Sequence, residues 1–525
     1  MRSNGIGIAC RILALLLCNL FCGSAWCQDY GRVARADRYA RFSTDLDEVR
    51  NLLHVPGMAA AIVEGNRVVW RQDFGFADAE KQHPVGPDTE FCIASVSKTM
   101  AAVILMQLRD AGMLGLDDPV SKYLTDSGMP ANITIREVMS HTSDGAPGEE
   151  FLYNGARYAA LSQIIEKLTG KPYAAVLSDR ILRPLKMAHT IPGLDAPGYE
   201  VLQQQLAKPY DWDADSSGGI KQGELPRPGL SAATGIVSTE DDLALYAMAL
   251  DGSAVASPRS KTAMFTPTRS SRGENLPYGL GWFVQDYMGE KLVWHFGQED
   301  SYASLFLRVP ERKLTVIVLA NSNALSDAFR LLDGNAARSL VALDFLKDVV
   351  LSDKPLDAAA QGQLEADHNL DEALARIYLN QRDQAVPFAR RALDAGTVQL
   401  HPDVSTLYLL MRLNERTFNG ATEAIGTELG REHPNLPTAL FYFGTFYEQT
   451  DRPEKAMPLF QRIADIQPPL RHWTAALALL ELGKWYSGRN PDQARKYLRR
   501  VIEMNLNVEG AVDRAQQALK VIPQL

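Results

Sequence analysis

Cysteine is scarce in this 525-residue chain, and its placement says more than its number. Four of the five cysteines, Cys10, Cys18, Cys22 and Cys27, crowd the first 27 residues, leaving Cys92 alone in the remainder. A disulfide framework or a cysteine-based metal site is thereby excluded from the body of the chain. The nine histidines are scattered without a His-x-x-x-His pair, so no structural metal is expected. Lys and Arg form no stripe and the formal net charge is −9, which argues against nucleic acid as a partner. Long apolar runs are lacking too. The N-terminal stretch from Ile12 to Phe21 is too short for an ordinary spanning helix. It follows Arg2 and Arg11 and precedes the small residues Gly23-Ser24-Ala25, the order of a secretory signal peptide. Residues 1–27 are therefore expected to direct export, to the periplasm or out of the cell, with no membrane span after cleavage; the alternative is an uncleaved anchor, since Arg11 is the one charged residue between Arg2 and Asp29. The rest has a globular composition, 46% hydrophobic and 22% charged, over a length that exceeds one ordinary core.

The chain is organised around Phe91-Cys92-Ile93-Ala94-Ser95-Val96-Ser97-Lys98-Thr99-Met100. Extended, turn-punctuated sequence ending in Pro87-Asp88-Thr89 precedes it. The apolar run Met100–Leu108, free of Pro and Gly, follows and predicts a buried helix. Ser95 is expected in the first turn of that helix, with Lys98 one turn on and on the same face. A serine hydroxyl needs a base before it becomes nucleophilic, and a desolvated lysine can serve as one. The free N–H groups of a first helical turn can hold an oxyanion. These residue types at this spacing suit acyl transfer.

Elsewhere, a helix is predicted over Asp45–His54 after a loose lead-in at about 28–40. A hairpin is predicted with arms Met58–Val63 and Arg67–Trp70. Helical patterns follow at Met100–Ala111, Ile135–Ser140, Ala156–Thr169 and Asp241–Leu250, with a loop-rich stretch at about 190–230. Strands are predicted at Lys291–Trp294, Leu305–Arg308 and Leu314–Leu319, and a helix at Asp327–Val349. Strands at both ends with helices between imply an α+β domain over about 40–350, an antiparallel sheet flanked by helices with an inserted helical lobe. From about 355 to 525 the pattern is helix after helix. Ala385, Ala421, Ala456 and Ala494 recur at intervals of 36, 35 and 38. Gly444-x-x-Tyr447 with Pro453 is echoed by Gly483-x-x-Tyr486 with Pro491. This resembles the tetratricopeptide repeat, and three to four degenerate units are expected in an all-α repeat domain.

The segment from Phe91 to Lys98 resembles the nucleophile segment of the serine β-lactamase and penicillin-binding-protein superfamily, particularly its class C-like esterase and peptidase branch. Further anchors over about 45–345 are Ser140-His141-Thr142-Ser143, Pro147-Gly148, Thr234-Gly235-Ile236-Val237-Ser238-Thr239, Tyr278-Gly279-Leu280-Gly281-Trp282 and His295-x-Gly297. The resemblance implies that Ser95 is the nucleophile, Lys98 its proton partner, Tyr153 the tyrosine of the second motif and His295 the basic residue of the third. It implies that Gly297 admits the substrate backbone and that the N–H of Gln298 completes an oxyanion hole with that of Ser95. It calls for no metal or cofactor. Two departures bear on substrate. The second motif, normally Tyr-x-Asn, reads Tyr153-Asn154-Gly155, and Phe296 replaces the hydroxyl residue often found in the third.

The residues also admit plainer roles: Tyr153 as a core aromatic, His295 as a satisfied structural histidine, His141 as a buttress, Cys92 as a small buried hydrophobe. The reading carried forward is an exported serine hydrolase acting through an acyl-enzyme on Ser95, on an ester or a D-amino-acid-type amide. Its alternatives are a β-lactamase or D-alanyl-D-alanine carboxypeptidase, or a non-catalytic penicillin-binding-like receptor. The partners expected are a small-molecule or peptide substrate and a protein bound through the repeats.

Overall fold

The computed structural model describes residues 37–144, 147–216, 219–271, 273–395, 403–434, 436–466, 472–506 and 508–522; the N-terminal targeting segment lies outside them. Helix α1 (37–52) starts earlier than the sequence suggested. Tyr39, Phe42, Leu46, Val49 and Leu53 are all buried along it, at steps of three and four residues. That stripe lies on a seven-stranded sheet of β1 (Gly57–Glu64), β2 (Arg67–Asp78), β3 (His83–Pro84), β4 (Phe283–Tyr287), β5 (Glu290–Glu299), β6 (Tyr302–Val309) and β7 (Leu314–Ala320). The order is β3-β2-β1-β7-β6-β5-β4 and the neighbouring pairs are antiparallel. The central strands β1, β6 and β7 are almost wholly buried, because helices cover both faces. This explains their near-continuous apolar sequence, where alternation would mark a sheet with one wet face.

Helix α2 (Ser97–Asp110) forms the core of the second face. Of its fourteen residues only Gln107, Arg109 and Asp110 escape burial. The lobe between β3 and β4 packs around it through helices that include Leu161–Thr169 and Glu240–Asp251. The single helix expected over Asp327–Val349 is instead divided into Ala324–Asp327, two short turns, and Leu340–Phe345 running on to Val350. The break falls at Gly334, which turns the chain with φ of 93°.

The C-terminal part pairs its helices: Ala358–Tyr378 with Arg382–Asp394, Val404–Leu413 with Asn419–Glu432, Pro437–Gln449 with Pro453–Asp465, and His472–Ser487 with Pro491–Met504. Ala511–Val521 follows them. Ala385, Ala456 and Ala494 sit fully buried at the fourth position of the second helix in their pairs. In the remaining pair that slot belongs to the buried Thr422, and Ala421 is only partly covered, which corrects the repeat register by one residue. Gly444 and Gly483 let the helices of a pair touch, since a Cβ on either would overlap Phe460 or Leu498.

The repeats dock on the sheet domain. One apolar core runs from the α1 face of the sheet through Leu340–Val350 into the helix pairs. Buried Arg338 reaches from the sheet domain to Asp367, to Asp371 at 3.1 Å and to Asp403 at 3.5 Å. The Tyr287 hydroxyl donates to Asp367 at 2.8 Å, and Arg330 donates to the Tyr442 hydroxyl at 2.8 Å.

Candidate active site

The site begins where strand Phe91–Cys92, paired with Val237–Ser238, turns into α2. Ile93 donates its N–H to the Ile236 carbonyl, and Ala94 then adopts a left-handed conformation with φ of 45°. A residue with a Cβ rarely takes this conformation, and here it redirects the chain sharply at the strand end. Ser95 lies in a one-turn 3-10 helix, Ala94–Val96, and not in the first α-helical turn as expected. The tighter turn matters because side chains three residues apart nearly eclipse in 3-10 geometry. It passes directly into α2, whose second residue, Lys98, lies one turn on from Ser95.

The Lys98 ammonium donates to Ser95 Oγ at 2.8 Å and to the Ala233 carbonyl at 2.9 Å. It is almost wholly buried and sits 5.0 Å from the Tyr153 ring centroid and 5.6 Å from that of Tyr158. Burial lowers the Lys98 pKa to about 7, against an opposing pull from Glu299. A lysine of this kind is substantially unprotonated at neutral pH and can take a proton from Ser95.

Tyr153 is gripped from both sides by His141. The His141 carbonyl accepts from Leu152 N–H at 2.8 Å, and its Nδ1 accepts from Asn154 N–H at 3.1 Å. The His141 and Tyr153 rings lie 4.3 Å apart. The Tyr153 hydroxyl is sequestered and closes no well-formed hydrogen bond, although Ser95 is near enough to favour its ionised form. Burial outweighs that influence and pushes the phenol above its ordinary range, so Lys98 is the group that titrates near neutrality. Asn154 is turned away from the site. Its amide donates to Asp144 at 3.0 Å and its carbonyl oxygen caps the helix Gly155–Ala159.

His295 departs from the expected role. It is fully buried, with Nε2 2.8 Å from the Tyr278 hydroxyl and Nδ1 2.6 Å from the Phe296 carbonyl. Burial, reinforced by Lys98, depresses its pKa to about 3. A neutral imidazole with both nitrogens engaged cannot supply positive charge, so His295 positions its surroundings.

Gly297 and Gln298 continue the same strand past Ser95. A Cβ on Gly297 would overlap the Ile93 carbonyl oxygen and the Ser304 hydroxyl, so the strand and the Ser95 turn meet only because the side chain is missing. Ser304 donates to that Ile93 carbonyl at 2.8 Å, Ser326 to the Gly297 carbonyl at 2.8 Å, and the Gln298 amide to Asp327 at 2.8 Å. Gly297→Ala should therefore cost about 1–3 kcal/mol of stability by overpacking. It should also displace the Ser95 turn, and thermal melting of the variant beside the wild type measures the loss of stability.

Sequence reasoning did not single out Glu299 or the Ala233 carbonyl. Glu299 follows Gln298 directly, and with Cys92, Arg227, Thr234 and Val237 it lines a cavity of about 170 Å³ beside Lys98. Burial raises its carboxyl pKa, while Lys98 and Arg227 draw it down. Among the described residues no group of three or more His, Cys, Asp or Glu is placed to hold a metal ion.

The beta-lactamase family profile matches residues 47–339, more than half of the chain. The chain belongs to the beta-lactamase family. A tetratricopeptide-repeat profile matches residues 477–505, within the helix pair His472–Ser487 and Pro491–Met504. Among its beta-lactamase-family relatives, protein flp of Staphylococcus aureus (strain MW2) is 26% identical over 318 residues, 52% of this chain and 60% of that protein. A penicillin-binding protein of Bacillus subtilis (strain 168) is 26% identical over 310 residues, 49% of this chain and 66% of that protein. The chain thus spans less than two thirds of the length of either relative. The octameric penicillin-binding protein homologue from Pyrococcus abyssi superposes with a TM-score of 0.52 at 23% identity, covering 64% of this chain and 81% of that one, a likeness of fold. No helix of the described residues is long and apolar enough to cross a membrane.

Proposed function

We propose that this member of the beta-lactamase family is an exported serine hydrolase that forms an acyl-enzyme on Ser95. The observation that carries the reading is the buried Lys98 amine 2.8 Å from Ser95 Oγ, with a pKa of about 7. In the proposed cycle the neutral amine takes the Ser95 proton as Oγ attacks the substrate carbonyl. The main-chain N–H groups of Ser95 and Gln298 receive the oxyanion. The proton passes to the leaving group by way of Lys98 and the Tyr153 hydroxyl, and water then reverses the sequence to release the acid.

An ester or a D-amino-acid-type amide suits the site better than a β-lactam. Asn154 is held by Asp144 and its helix cap, so it is not free to bind a substrate amide. Phe296 brings no hydroxyl to meet a carboxylate. Export rests on the N-terminal sequence, and a protein partner for the repeats on their helix-pair architecture. A fluorophosphonate probe should label the wild-type protein and leave Ser95→Ala unlabelled. Failure to label the wild type would favour a receptor that keeps the fold without the chemistry.

A further inference from the structure

On the helical lobe, away from Ser95, an open cleft of about 630 Å³ is lined by four arginines, Arg109, Arg136, Arg259 and Arg269. Threonines and small apolar groups supply the rest of its lining, and no carboxylate contributes to it. The volume lies within the range of small-molecule sites. Two of the guanidiniums are neutralised from outside the cleft, Arg109 by Asp110 at 2.5 Å and Arg136 by Asp117 at 2.7 Å. Among the described residues the other two form no ion pair. Arg269 donates only to the Asn275 side-chain oxygen at 3.3 Å, and Arg259 stands exposed at the start of the helix Pro258–Met264. Two uncompensated guanidiniums share one concave surface on a chain whose net charge is −9.

Like charges around one hollow repel, and the local field opposes the sign of the protein as a whole. Guanidinium forks match the oxygens of a phosphate, with two parallel N–H donors for each pair of oxygens. The two ion-paired arginines add walls that are already oriented, since Arg136 holds Asp117 through both Nε and Nη2. An arginine-lined hollow of this size admits a phosphate together with the group that carries it.

We infer that the cleft bounded by Arg109, Arg136, Arg259 and Arg269 is a second binding site, which takes a phosphate-bearing anion through Arg259 and Arg269. The anion is either a soluble polyphosphate or the headgroup of an anionic phospholipid, and these share the chemistry the cleft recognises. The inference does not depend on turnover at Ser95.

The test is calorimetric titration of the full-length protein with inorganic pyrophosphate, beside flotation with phosphatidylglycerol or phosphatidylcholine vesicles. Both are run on the wild type and on Arg259→Ala/Arg269→Ala. Removing one guanidinium's charge-assisted hydrogen bonds should weaken binding about tenfold, so the double variant should bind about a hundredfold more weakly. Binding should also weaken as salt is raised. Both residues are exposed, and an unchanged melting temperature will show that the variant folds. Pyrophosphate binding that the variant abolishes establishes a soluble ligand; binding to phosphatidylglycerol vesicles alone, abolished in the variant, establishes a headgroup. Equal binding by wild type and variant overturns the assignment, and so does a wild type that binds neither probe.

Discussion

Substituting methionine for Lys98 should lower the rate of ester hydrolysis by about three orders of magnitude while the protein stays folded. Positioned general bases contribute roughly 10²–10⁴-fold, and the methionine thioether cannot accept the Ser95 proton. The side chain is of similar length and apolar, so it can occupy the buried space beside the Tyr153 and Tyr158 rings that the lysine fills. Stopped-flow hydrolysis of p-nitrophenyl acetate, with circular dichroism on the same sample, measures both halves. A variant that keeps more than about a tenth of the wild-type rate would remove Lys98 from the chemistry.

The same amine ties activity and stability to pH. Its protonated form cannot act as a base, so wild-type turnover should rise with pH through about 7 and then level off. In the unfolded chain the group titrates near its ordinary value of 10.5, and in the fold at about 7. Between these two values the unfolded state holds more protons than the native one. The contribution of Lys98 to stability therefore increases as pH rises from 7 to 10.5, and below 7 the fold bears a buried charge. Lys98→Met should abolish that slope.

How far the sequence revealed this site depends on how local each contact is. The relation of Ser95 to Lys98 was legible because it rests on a spacing of three residues and on the apolar run after Met100. The 3-10 turn at Ala94–Val96 was not, because it arises where Gly297 and Ser304, some two hundred residues on, press against the Ile93 carbonyl. His295 shows the same limit. Its place in the motif is visible in the sequence, whereas its neutrality follows from burial and from Lys98, some two hundred residues earlier in the chain. In the repeats the periodic small residue was visible, but the occupant of one slot turned out to be Thr422, one position from the alanine the pattern favoured. Gly334 ended a helix that propensity would have continued, since the chain must change direction there before Leu340.

Arg338→Met should destabilise the protein by about 3–5 kcal/mol, an effect expected when one partner of a buried ion pair is removed. Arg338 is 2% exposed, and its guanidinium faces Asp367, Asp371 and Asp403 across the junction of the sheet domain and the repeats. Burial pushes the Asp371 carboxyl well above the usual range, and Arg338 is the strongest influence holding it down. Without that arginine the Asp371 pKa is driven further up, so the loss of stability should shrink as pH falls. Scanning calorimetry should show one unfolding transition for the wild type and two for the variant, as the repeats release the sheet. An unchanged melting temperature would show that the apolar core alone maintains the junction. The site should register the change as well, because Tyr378 of the first repeat helix donates to Asn323 at 3.4 Å and Asn323 donates to the Asp300 carbonyl at 2.7 Å, one residue beyond Glu299. Adding Asp371→Asn to the variant should restore part of the stability, since the buried charge left without a partner is what makes the single substitution expensive.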